Sequence, residues 1–317
     1  MRIFIAGATG VIGRRVVRRL AAKHDVTANA RTRRKREQLS RFGATAVQVD
    51  LFDAAQVQRA VAGHDVIINL ATHIPRSSRA LIPGAWREND RLRRIASANL
   101  VHAAMATNSA QRYVQESFAP IYPDCGSEWI DERTPVQAAR YNRSVLDAEG
   151  AAQHFTESGR TGVVLRFAFF YGPDSDFTCD YIRYIRRGWA PALGSPDGYI
   201  SSVSHDDAAS AVIAALGVPA GVYNVVDDEP LPRREFFGSL AAAVGAPPPR
   251  FLPPWVARVM GSLGETLGRS QRISNRKLRE ISGWKPATPS VREGWRSVLR
   301  DLDGTATGRL LTDRQAV

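Results

Sequence analysis

The sequence predicts an α/β protein, a doubly wound parallel sheet carrying a smaller C-terminal lobe. Two observations predict it. Short apolar runs alternate with segments of helical period through the first half, the pattern of a parallel sheet with right-handed crossovers. After about residue 172 the pattern loosens into Pro/Gly-rich joints such as GSPDG and AAAVGAPPPRFLPPW. A chain of 317 residues with 44% hydrophobic content has room for one large domain and a smaller partner around full cores.

In chain order, strands are expected at 2–7, 25–30, 45–50, 65–71, 112–117 and 162–167. Each is a short run rich in Val, Ile, Phe or Tyr. Helices are expected between them at about 11–22, 33–42, 53–62, 86–107 and 138–157. The long segment 86–107 places Leu92, Ile95, Ala96, Leu100, Val101 and Ala104 at helical spacing. Beyond 172, short helices are expected near 178–187, 206–216, 233–244, 254–266 and 290–300, with a strand at 221–226. Domain boundaries follow: 1–171 for the sheet domain and 172–303 for the lobe, with some return to the sheet. Residues 304–317 read as a disordered tail.

Composition narrows the function classes. Cys125 and Cys179 are too few for a disulfide framework and lack metal-ligand spacing, so no metal site is expected and a reducing, cytoplasmic setting fits. The apolar N-terminus is interrupted by Gly7, Gly10 and Gly13 and ended by Arg14 and Arg15. That is neither a signal peptide nor a membrane span. The net charge of +12 comes almost entirely from arginine, scattered over helices without an aromatic-basic patch. A phosphate-bearing small molecule fits this charge better than a nucleic acid.

The first turn carries the main chemical signal. GATGVIG gives Gly7-x-x-Gly10-x-x-Gly13 between the first strand and first helix. There Gly7 permits a tight turn, Gly10 lets a pyrophosphate approach the backbone, and Gly13 allows close helix packing. Thr9, Val11 and Ile12 complete the loop, and the helix N-terminus faces the anion. The end of the second strand distinguishes the dinucleotides. NAD sites place a carboxylate there for the ribose 2′-OH, whereas TANARTRRKRE offers Arg31 and Arg34 and no acid before Glu37. Guanidinium groups suit a 2′-phosphate, so the expected cofactor is NADP(H). Asp50 and Leu51 end the third strand, and Leu70, Ala71 and Thr72 end the fourth, at the carboxyl edge where the cofactor lies. Phe167, ending the sixth strand, joins this set.

These motifs, together with VDLFD, VIINLAT, QESFAPIYPD, YNRSVLDAE, VVLRFAFFYGP and SSVSHDDAASAV, resemble the short-chain dehydrogenase/reductase superfamily. The likeness is to its extended and atypical, NAD(P)-dependent epimerase/dehydratase-like branches, and covers about residues 1–300. It implies a Rossmann fold and an active site of Ser/Thr, Tyr and Lys, in which Tyr exchanges a proton with the substrate oxygen and Lys lowers its pKa. Tyr141 matches the tyrosine, and is expected on a helix. The lysine position, four residues on, is Val145. The hydroxyl position, four residues before Tyr122, is Phe118, with Ser117 one residue earlier as the remaining candidate. His73 is the alternative proton carrier by its side-chain pKa.

The resemblance and the loop composition place His73, Phe118, Tyr122, Phe169, Arg183 and His205 around a pocket with many aromatics and few acids, suited to an apolar or aromatic molecule. The expected function is an NADP(H)-dependent oxidoreductase of atypical type, acting on a carbonyl or related double bond of such a molecule. The alternatives are a redox-neutral epimerase, dehydratase or isomerase using bound NAD(P), and a non-catalytic NADPH-binding regulator. The helices at 86–107 and 138–157 resemble the family's dimer-forming pair, so a homodimer is a further expectation.

Overall fold

A computed structural model describes residues 1–76, 79–80, 82, 84–253 and 255–303; the tail expected at 304–317 lies outside them. Seven parallel strands form the central sheet: β1 (Arg2–Ala6), β2 (Asp25–Asn29), β3 (Thr45–Val47), β4 (Val66–Asn69), β5 (Arg112–Phe118), β6 (Thr161–Phe167) and β7 (Gly221–Val225). Their order is β7-β6-β5-β4-β1-β2-β3. The chain winds outward from β1 to β3, returns to β4 on the other side of β1, and winds outward again. The winding therefore reverses between β1 and β4, and a crevice opens at the carboxyl ends of those two strands.

Helices cover both faces because successive side chains on each strand point to opposite sides. Ile3 and Ile5 face α1 (Gly13–Leu20), which buries Val16, Val17 and Leu20 against them. Phe4, between them, faces the opposite layer. That layer holds Val57 and Val61 from α3 (Ala54–Val61) and Leu100 and Ala104 from α4, a continuous helix over 87–107. The helix α2 (Arg33–Ser40) follows β2, capped by the Thr32 side chain. One π-helical turn, Leu92–Ala96, interrupts α4. Phe155 of α5 (Val145–Glu157) completes the layer.

The lobe has its own core, formed by α6 (Asp176–Arg186), α8 (Arg233–Ala243) and α12 (Val291–Asp303) around Phe236, Phe237 and the fully buried Trp295. The intervening α7 (His205–Ala214) leaves the lobe, and its Ala208, Ala211 and Val212 join the sheet core beside α1. β7 then pairs with β6 as an edge strand. The segment 205–225 thus belongs physically to the sheet.

Three local expectations change. The helix expected over 138–157 starts only at Val145, after a 3₁₀ turn at Arg140–Asn142. Contacts with α4 hold that turn apart, because Ser144 donates to Asp90 at 2.7 Å instead of capping the helix. The helix expected over 254–266 is two, α9 (Trp255–Val259) and α10 (Gly261–Gly268), broken where Gly261 takes φ +59°. An additional helix, α11 (Arg276–Ser282), ends at Gly283 with φ +70°.

Candidate active site

The phosphate loop is fixed by backbone packing. Gly7 has φ +75°, and a Cβ there would lie 2.3 Å from the carbonyl of Leu70. A Cβ on Gly13 would lie 2.2 Å from the Gly7 carbonyl oxygen. No side chain substitutes for hydrogen at either position. Gly10 differs: it is exposed, its N–H donates to the Gly7 oxygen at 3.1 Å, and a Cβ would touch only that oxygen, at 3.4 Å. Its outer side is open, which fits a pyrophosphate lying against the backbone. No side chain caps α1; the Arg14 and Arg15 N–H groups bond the Gly10 and Ile12 carbonyls at 3.1 and 3.0 Å, so the helix offers an anion mainly the positive end of its dipole. Ile12 is buried in the core and offers only backbone, while Thr9 and Val11 are half-buried at the rim.

At the end of β2, Arg31 and Arg34 are exposed and have no partner among the described residues. Their neighbours are engaged: Arg33 bonds Glu37 at 2.9 Å and Arg36 bonds Gln48 at 2.7 Å. Two unpaired guanidinium groups beside the crevice suit a 2′-phosphate. Asp50 turns back on its own loop, accepting from the Phe52 N–H at 2.9 Å, and Leu51 is buried. At the end of β4, the Ala71 N–H donates to Asn69 at 3.1 Å and the His73 N–H to Asn89 at 2.9 Å, which leaves the Thr72 and His73 side chains exposed.

The proton-transfer side departs further from expectation. Val145 is fully buried as the first residue of α5. Tyr141 lies before the helix, on the 3₁₀ turn, its ring packed edge-on to Trp86 with centroids 5.0 Å apart. Burial pushes its phenol up to about 12, against the charges of Arg93 and Arg269 and a hydrogen bond with Thr266. Ser117 is fully buried and donates to Glu149 at 2.5 Å. Glu149 is held bidentately by Arg166 at 2.8 and 2.7 Å, and Arg166 also donates to Tyr122, whose hydroxyl donates to Asn224.

Four of the expected site residues are enclosed by the packing of the protein. Ser117, Tyr122, Phe167 and His205 are each at most 1% exposed. Ser117 and Tyr122 belong to the buried ion-pair network, and Phe167 packs on Phe170 in the sheet core. His205 bonds Asp174 at 2.7 Å, behind the phosphate-loop helix and close to Arg14 and Arg15. Phe118 and Phe169 remain half-buried, with rings 6.0 Å apart and nearly perpendicular. Arg183 is exposed on α6 and paired with Asp180 at 2.7 Å.

A family model described as NAD(P)H-binding matches residues 7–219. The chain belongs to the NAD(P)H-binding Rossmann family. It is 34% identical to a 3-diazoavenalumate denitrifying reductase of a Streptomyces species, over 93% of this chain and 99% of that protein. It is 26% identical to a 2-alkyl-3-oxoalkanoate reductase of Shewanella oneidensis, over 88% of this chain and 74% of that one. In fold it is similar to a human epimerase family protein solved with NADPH, with TM-score 0.79, 20% identity and coverage of 94% and 99%. A Thermus thermophilus UDP-glucose 4-epimerase complexed with NAD gives TM-score 0.75 at 25% identity, covering 94% of this chain and 97% of that one. These reductase relatives support an NAD(P)-binding oxidoreductase.

In this NAD(P)H-binding chain, the structure adds residues to the site that sequence spacing does not single out. Trp86, just before α4, packs on Tyr141, Asn89 of α4 accepts from the His73 N–H, and Arg93 of α4 lies 3.8 Å from Glu116 on β5. The sequence offers no cue for Arg93, one arginine among several in RLRR. Among the described residues no cluster of His, Cys, Asp and Glu could hold a metal, and no helix is long and apolar enough to cross a membrane.

Proposed function

We propose that this chain is an NADP(H)-dependent reductase of small apolar or aromatic molecules, acting on a carbonyl or related double bond. The observation that carries the direction is a tyrosine with burial raising its phenol to about 12 and a buried valine where a lysine would assist it. A phenol in that state keeps its proton near neutrality. It can donate to a developing alkoxide but cannot serve as the base that alcohol oxidation needs. Redox-neutral epimerisation begins with such an oxidation, so the same feature disfavours it. Arg31 and Arg34 would hold the 2′-phosphate, and the Gly7–Gly13 loop the pyrophosphate. When bound, NADPH supplies a hydride to an electrophilic carbon. Phe118 and Phe169 would flank an apolar substrate, and the exposed His73 offers a second proton source.

A second reading is favoured by the replaced hydroxyl and lysine positions together with the relative named for denitrifying a diazo compound. Reduction of a carbonyl needs a proton at oxygen. An arenediazonium ion that accepts the hydride at carbon and releases N₂ gives a neutral arene without taking a proton, so such a site can dispense with assisted proton transfer. The test is a panel of ketones, aldehydes, quinones and arenediazonium ions given to the purified protein with NADPH, followed by NADPH absorbance and product analysis. Oxidation of NADPH with a matched reduced product is the expected result, and N₂ release would select the second reading. Tight NADPH binding with no oxidation across the panel would sink the proposal in favour of a regulator. A product formed with the cofactor unchanged would favour an isomerase.

A further inference from the structure

The lysine missing from position 145 leaves a question about charge. Tyr141, half-buried against Trp86, has a valine where the resemblance implies a lysine, and the arginines beside it, Arg140 and Arg143, are exposed. A third arginine is not. Arg93 lies in the π-helical turn of α4 and is 3% exposed, while its neighbours Arg91 and Arg94 face solvent. A π turn widens the helix and shifts the side chains that follow it, a deformation found mostly at functional sites. Two contacts tie the Tyr141 turn along the same helix: the Tyr141 ring on Trp86, and the Ser144 hydroxyl on Asp90 at 2.7 Å. Arg93 follows Asp90 by about one turn, so this alignment carries its charge toward the tyrosine.

The surroundings of Arg93 are those of an incomplete polar site. Its nearest anion, Glu116, is 3.8 Å away, beyond hydrogen-bond distance. Its Nε has no partner, nor have the second Glu116 oxygen and the Asn89 amide nitrogen. Burying a guanidinium and an amide without partners is costly, which leaves such groups to be satisfied by something that binds among them.

We propose that Arg93, turned inward by the π turn and held by Glu116, supplies Tyr141 with the positive charge that a lysine at position 145 would bring. Arg93 is then a positioning residue acting through Tyr141, and it rests on the reading of Tyr141 as the proton donor of a reductase. The other charges around the phenol are accounted for. Arg269, behind α10, is neutralised by Glu265 at 2.6 Å, and Glu149, behind Glu116, by Arg166. Arg93 paired loosely with Glu116 remains as the field that substitution can vary in both directions.

The test places a fluorinated tyrosine, whose phenol ionises at lower pH, at position 141 of the full chain and follows its titration by fluorine NMR without cofactor or substrate. Replacing the cation in Arg93→Met should raise the midpoint by about one pH unit or more, and removing the anion in Glu116→Gln should lower it. A midpoint unmoved by Arg93→Met overturns the proposal. If that variant does not fold, Glu116→Gln decides alone: an unmoved or raised midpoint overturns it. Because nothing in this measurement depends on turnover, shifted midpoints in a protein that reduces nothing would sink the reductase reading and leave the charge assignment standing. Turnover with unmoved midpoints would do the reverse.

Discussion

The dinucleotide end and the proton-transfer end of the crevice are built from different material. At the first, backbone touches backbone: Gly7 against Leu70, Gly13 against Gly7, with two unpaired arginines at the rim. At the second, side chains do everything, and most are turned inward. Ser117, Glu149, Arg166, Tyr122 and Asn224 form one buried network that ties β5, β6, β7 and α5 together and offers nothing to a ligand. Ser117 belongs to that network, and Val145 is buried apolar packing at the start of α5. The difference teaches that the glycine loop and the side-chain network depend on separate contacts, so either can change without disturbing the other.

The largest effect should come from breaking the scaffold of the proton-transfer end. Arg166→Met leaves the mostly enclosed Glu149 carboxylate without its cation, with only the Ser117 hydroxyl as donor, and removes the donor to Tyr122. Unpairing a buried charge of this kind costs roughly 3–5 kcal/mol, read as a fall in denaturant midpoint at unchanged slope. A loss below about 1 kcal/mol would mean that the network is not what holds this end together, and that the two ends differ less than their contacts suggest.

The same contrast explains what could be read from the sequence. The seven strands and the phosphate loop were legible because apolar alternation and steric exclusion leave marks in single residues: only glycine fits at Gly7 and Gly13. Val145 was equally legible as an absence. The fates of Ser117, Tyr122 and His205 were not, because a hydroxyl or imidazole at a strand end reads the same whether it faces a pocket or an ion pair. The inward turn of Arg93 depends on one π turn, and the late start of α5 on the bond from Ser144 to Asp90. Both are tertiary choices that local propensity does not encode.

At the dinucleotide end, Arg31→Ala should weaken NADPH binding about tenfold to a hundredfold, the range for losing a hydrogen bond to a charged group. NADH binding should stay within about twofold, since its ribose carries no phosphate. Equal losses for the two dinucleotides in a calorimetric titration would remove the 2′-phosphate assignment. They would also make the arginine-rich start of α2 a solvated surface, leaving the glycine loop alone to define this end.

The smallest effect at neutral pH concerns the joint behind the phosphate loop, where His205 bonds Asp174 and Asp174 also receives Arg14 and Arg15. Burial, reinforced by Arg15 and Arg14, holds the His205 imidazole down at about 3, from an ordinary value of 6.5. Its Nε2 is buried without a partner, which agrees with a neutral ring donating from Nδ1. The folded protein therefore stays unprotonated at this residue while the unfolded chain takes up a proton below about 6.5. The contribution is fully present above that pH and is lost progressively as pH falls toward about 3. His205→Asn keeps a donor toward Asp174 but cannot titrate. Its stability deficit relative to the wild type, measured by denaturant unfolding at successive pH values, should be constant near pH 7 and above and should narrow on acidification. A deficit that stays constant down to pH 4 would mean that the imidazole is not held neutral. The joint would then be an ordinary ion pair, and the dinucleotide end would depend on side-chain charge as much as the proton-transfer end does.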